Sequence, residues 1–192
     1  IPVVVHVIHK GENIGTGTNI SDAQIQNAIQ GMNQEWRRIT GDGVDMEIQF
    51  ALAVRDTNNN ITNGITRYDG RVFSNYVTNG VKYNDTASVG ANEDSIIKKT
   101  VWDRKNFINI WVADIRGAGG WASLFGNYTF FVHYNSGSST YSHEMGHTLY
   151  LHHTFAGDGS GSGVNPSTQC PVNNDCLLDG DWICDTPPHK KL

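Results

Sequence analysis

His143 and His147 stand four residues apart, with Glu144 directly after the first. On a helix that spacing stacks the two imidazoles one turn apart on a single face. Two imidazoles so placed can hold one Zn²⁺, and the adjoining carboxylate can act as general base on a water that the metal has made acidic. The pKa of that water falls towards ~7, and the carboxylate takes its proton as it attacks a peptide carbonyl. His and Glu also share ordinary exposed helix faces, so the third ligand decides the matter.

That ligand is not a Glu, because no Glu follows Glu144. His152, His153, His189 and several Asp residues remain. His153 lies six residues after His147, the spacing of the extended pattern H-E-x-x-H-x-x-G-x-x-H. At ~100° per residue a straight helix would carry His153 well off the zinc face, so the chain must turn back between His147 and His153. Gly makes such a turn without penalty. This sequence has Tyr150 there, at a cost of roughly 1–2 kcal/mol for a left-handed conformer. The expected centre is therefore His143, His147 and His153 on zinc, Glu144 as catalytic base, and a backbone turn at Tyr150.

These residues resemble the metzincin metalloproteases, and within them the pappalysin-type (cytophagalysin-like) family. Three segments carry the resemblance: Ile1 to Ile8, Ser142 to Phe155 with its His-Thr-Phe ending, and Asp179 to Pro188. They fall in family order over nearly the whole chain. The resemblance implies an α+β, metzincin-like catalytic domain: a twisted mixed β-sheet with a backing helix and a zinc-binding active-site helix, followed by a loop-rich C-terminal part. The chain is then one catalytic domain over residues 1–192, with an upper subdomain at 1–153 and a partial lower one at 154–192. It also implies a secreted zinc endopeptidase acting on a protein or peptide substrate. The alternative is a protease-fold module that keeps zinc and binds peptides with little or no turnover.

Further roles come with the resemblance. Ala122, Ser123 and Leu124 match the sheet's edge strand above the cleft, which would pair with an extended substrate through backbone hydrogen bonds. Asp179, Asp181, Asp185 and Thr186 fall where the family has calcium sites, and oxygen ligands at this density suit Ca²⁺. The bland alternative is a solvated acidic loop with Asp185-Thr186-Pro187 as turn chemistry. Metzincins carry a Met-containing turn after the third His. The methionines here are Met32, Met46 and Met145, none of them beyond the motif. Either that segment is missing from this chain or the floor of the site is built differently.

Composition sets outer bounds. A chain of 192 residues suits one domain with a sizeable core. The net charge of −5 argues against a nucleic-acid partner, and no apolar run approaches the ~18–20 residues of a membrane span. A start on a strand-like segment suggests a mature, processed chain, and a monomer is expected. Cys170, Cys176 and Cys184 cluster beyond the zinc motif. They read as a disulfide-stapled region of a protein from an oxidising compartment, in preference to a second metal site, with the pairing open.

The elements that must position the motif are legible as patterns. Ile1 to His9 reads as a strand covered on both faces, with His6 and His9 as structural histidines. Ser21 to Arg38 reads as a helix, opened by a Ser21/Gln24 capping box and carrying Ile25, Ile29, Met32 and Trp36 at helical spacing. Strands are expected at 46–55, 107–115 and 128–133, and a short helix near 93–101. Ser139 or Thr140 is the expected cap of the zinc helix.

Overall fold

β1 (Pro2–His9) is the strand on which the sheet is assembled, and its sequence explains why. Val3, Val4, Val5, Val7 and Ile8 are all fully buried, as a β-branched strand covered on both faces requires. One edge of β1 pairs in parallel with β5 (Ile108–Ala113). The other edge is shared in succession, by β2 (Ala51–Leu52) at Pro2 and Val3 and by β3 (Ile65–Asp69) from Val5 to His9. The order β2-β1-β5-β8-β7 is completed by β8 (Thr129–His133), parallel to β5, and by β7 (Gly120–Ala122), antiparallel to β8 at the edge. A second small sheet joins β4 (Val81–Lys82) to β6 (Ile115–Arg116). The result is the expected mixed sheet.

In this computed structural model residues 1–39, 44–82, 89–123, 129–158, 170–171 and 174–190 are described. They fall into two units, Ile1–Leu149 and Tyr150–Leu192.

Strand alternation divides the first unit's core in two. Val3, Val5 and Val7 of β1, Ile108, Ile110 and Val112 of β5, and Phe130 and Val132 of β8 face one side. There they meet Ile25, Ile29 and Met32 of α1 (Asp22–Trp36), and Tyr141 and Met145 of α4 (Ser138–Thr148). Ile8, Trp111, Phe131 and Trp121 face the other side. They pack under the segment that carries α2 (Tyr76–Asn79) and α3 (Glu93–Thr100). α1 opens with the reciprocal Ser21/Gln24 capping box. α1 and α4 approach closely at one point, where a Cβ on Gly31 would lie 2.6 Å from the Ser138 Cβ. Ser138 Oγ there donates to Glu35 Oε1 at 3.1 Å.

Three expectations need correction. The strand expected over 46–55 is only Ala51–Leu52. Instead of a ladder partner, Phe50 has the side chain of Asn33: Phe50 N–H donates to Asn33 Oδ1 at 2.7 Å, and Asn33 Nδ2 donates to Phe50 O at 2.8 Å. The strand expected over 107–115 breaks at Asp114, whose buried carboxylate accepts from Lys10 Nζ at 2.6 Å and from Arg116 at 2.8 Å. The zinc helix starts after Gly137 with no side-chain cap, so neither Ser139 nor Thr140 caps it.

His6 is a structural histidine. Its ring lies between Thr66 Oγ1 (2.7 Å) and Asn109 Oδ1 (2.9 Å), tilted against Trp111 with ring centroids 5.1 Å apart. Burial holds its pKa down at about 4, with the Asn109 hydrogen bond opposing. Among the described residues no helix is long and apolar enough to cross a membrane.

Candidate metal centre

α4 is amphipathic in a way that separates anchoring from chemistry. Tyr141 and Met145, one turn apart, lock it into the core. On another face His143 and His147 bring their Nε2 atoms to 3.1 Å, with the rings nearly perpendicular. Two nitrogens bound to one tetrahedral zinc at ~2.05 Å lie about 3.3 Å apart, so this pair is spaced as a zinc edge. The His143 pKa is lowered, first by desolvation and then by the neighbouring His147. Both effects favour the neutral imidazole that a metal needs.

Glu144 is 5% exposed, and burial raises its carboxyl to about 7. A carboxyl poised near neutrality suits proton transfer, and a dication beside it would pull that value down again. Its carbonyl oxygen accepts from Thr148 Oγ1 at 2.8 Å inside the last turn.

The helix ends at Thr148, and the turn demanded of Tyr150 is present, with φ +74°. In the second unit His152 sits against Trp182, with ring centroids 4.4 Å apart, while His189 bonds Thr154 Oγ1 at 3.0 Å. His153 stacks on Phe155. His143 and His147 offer their ring nitrogens from the first unit, and His153 follows the turn at Tyr150 in the second. Imidazole nitrogens are donors that fit zinc.

The other expected site residues fall differently. Ala122 lies in the edge strand β7 opposite Phe130, and Ser123 N–H donates to Thr129 O at 3.2 Å. Leu124 lies outside the described residues. Asp179 Oδ2 accepts from Asp175 N at 3.2 Å and Asp181 Oδ1 from Ile183 N at 3.1 Å. Among the described residues Asp179, Asp181 and Asp185 belong to no group of three or more acidic, His or Cys side chains placed to share an ion, so calcium finds no support. Cys176 pairs with Cys184, and Cys170 is free and exposed. Sequence reasoning passed over Gly120, where an added Cβ would lie 2.8 Å from Glu144 Cγ. The only hint was the Gly-rich run ahead of the edge strand.

A twisted, mostly parallel sheet with an antiparallel edge strand, backed by α1 and carrying a histidine helix, is a metzincin-like catalytic-domain arrangement. No protein-family profile and no curated protein sequence matches the chain. Solved structures do. Mature mirolysin of Tannerella forsythia, in complex with a cleaved peptide, is 28% identical at TM-score 0.62, over 84% of this chain and 66% of that one. Promirolysin of Tannerella forsythia is 28% identical, also at TM-score 0.62, over 94% of this chain and 63% of that one. A second mirolysin complex is 29% identical at the same TM-score. Mirolysin is a metalloprotease of the pappalysin type, and this chain shares its catalytic-domain fold while spanning just under two thirds of its length.

Proposed function

We propose that the chain is a zinc-dependent endopeptidase, with His143, His147 and His153 holding the metal and Glu144 as the catalytic base. The observation that carries this reading is the pair of histidine nitrogens 3.1 Å apart beside a buried glutamate, with His153 six residues further on, in a fold shared with mirolysin. When bound, zinc supplies a Lewis acid and lowers the pKa of a water to ~7. The protein's own groups do the rest. Glu144 takes the proton from the attacking water and returns it to the leaving amine. An extended peptide lies along β7 around Ala122 and Ser123, held by backbone hydrogen bonds. The Cys176–Cys184 bridge supports secretion, since disulfides persist in oxidising compartments.

Metal analysis paired with casein cleavage tests this. One zinc per chain, cleavage abolished by a chelator, and a Glu144→Gln variant that keeps zinc but loses cleavage are expected. Undiminished zinc-dependent cleavage by Glu144→Gln would remove Glu144 from its role. Zinc without cleavage in the wild-type chain would favour the peptide-binding module.

A further inference from the structure

The edge strand β7 turns its residues alternately to the two faces of the sheet. Trp121 belongs to the cluster on the far side, while Ala122 packs against the cluster that contains Met145 of α4. By the same alternation Gly120 faces α4. A Cβ at Gly120 would lie 2.8 Å from both Cγ and Oε1 of Glu144, and 3.0 Å from the Phe131 carbonyl oxygen. Carbon atoms in ordinary contact stay about 3.5–4.0 Å apart. The Glu144 side chain thus occupies the volume that any other residue at position 120 would fill.

The backbone does not ask for glycine here. Gly120 is absent from the positive-φ positions, unlike Gly117 at φ +90°. Nor is closeness general along this run, since a Cβ at Gly119 would meet only Thr140 Cγ2, at 3.9 Å. Glycine also loses more conformational freedom on folding than any other residue. The contact with Glu144 is the feature that accounts for glycine at this place.

We infer that Gly120 is a positioning residue for Glu144: the missing side chain leaves the pocket in which the carboxylate stands against the edge strand. The inference rests on the proposed role of Glu144. A methyl group at position 120 has the Phe131 carbonyl on one side and Glu144 on the other. The glutamate is the softer neighbour, so it moves. The displaced carboxylate no longer lines up with the proton it must transfer, and turnover suffers while the histidines and the rest of β7 stay in place.

The test compares wild type, Gly120→Ala, Gly119→Ala and Glu144→Gln. It measures zinc affinity by chelator competition, kcat and KM on a fluorogenic casein-derived peptide, and the crystal structure of zinc-loaded Gly120→Ala. Gly120→Ala is expected to bind zinc like wild type, to keep KM within about twofold, and to lose roughly ten- to hundredfold in kcat. Its Glu144 carboxylate should be displaced, with the β7–β8 pairing kept. Gly119→Ala should match wild type. Wild-type kcat in Gly120→Ala, a change confined to KM, or an unmoved carboxylate would each overturn the inference. Cleavage by Glu144→Gln, or none by wild type, would sink the functional reading instead, and the crystal structure would then decide Gly120 alone.

Discussion

His143 and His147 hold their Nε2 atoms 3.1 Å apart on one face of α4. Two ring nitrogens at that separation can share one cation. His147→Ala is therefore expected to weaken zinc binding by more than the roughly 10–100-fold that follows loss of an outer-shell partner. Zinc should raise the wild-type melting temperature and leave that of His147→Ala nearly unmoved, because ligand binding stabilises only the state that binds. Differential scanning calorimetry with and without chelator reads both.

His6 gives the fold a pH dependence of its own. Its folded-state pKa of about 4 lies below the ordinary 6.5, so between those values the unfolded chain takes up a proton that the native chain refuses. The stability it contributes is complete above pH 6.5 and is lost as the pH falls towards 4. The loss amounts to roughly 3 kcal/mol. Urea unfolding between pH 7 and 4, in chelator throughout so that metal release does not contribute, should show this slope in wild type. His6→Gln should flatten it, whatever its absolute stability.

Tyr150 holds φ +74°, where a side chain is strained. Tyr150→Gly and Tyr150→Ala both delete the ring, so their difference isolates the backbone. The glycine variant should be the more stable by about 1 kcal/mol, from urea midpoints at equal m-value.

Gly31 faces Ser138 across the α1–α4 crossing, with only 2.6 Å for a Cβ. Alanine would gain about 1 kcal/mol of helix propensity, yet overpacking costs about 1–3 kcal/mol. Gly31→Ala should come out neutral to destabilising, and the double change Gly31→Ala with Ser138→Gly should recover the loss. Thermal denaturation of wild type and both variants checks this.

The parts of the molecule that the sequence revealed are those governed by short-range rules. The four-residue histidine spacing, the Ser21/Gln24 box and the apolar runs of β1 and β5 are all local patterns, and each appears in the structure. Tyr150 was legible because a helix cannot deliver His153 without a turn. What stayed hidden depends on partners far along the chain. Asn33 takes the backbone of Phe50 and shortens a strand whose own alternation reads longer. Asp114 breaks another because Lys10 and Arg116 hold its carboxylate. The pairing of Cys176 with Cys184 and the contact of Gly120 with Glu144 likewise need three-dimensional proximity.

β1 pairs Val3 with Ile108 and Val7 with Val112. As the chain leaves a ribosome or a translocation pore, β1 emerges well before the strand it pairs with. Its central partner is made only after some hundred further residues, a delay of about 5–20 s at the usual pace of synthesis. Until then a β-branched segment sticky on both faces has β2 and β3 as its only strand neighbours along one edge. Parallel, long-range pairing of this kind folds slowly and exposes sticky intermediates. The architecture that presents the histidine helix thus makes β1 a part of the newborn chain in need of shelter until β5 arrives.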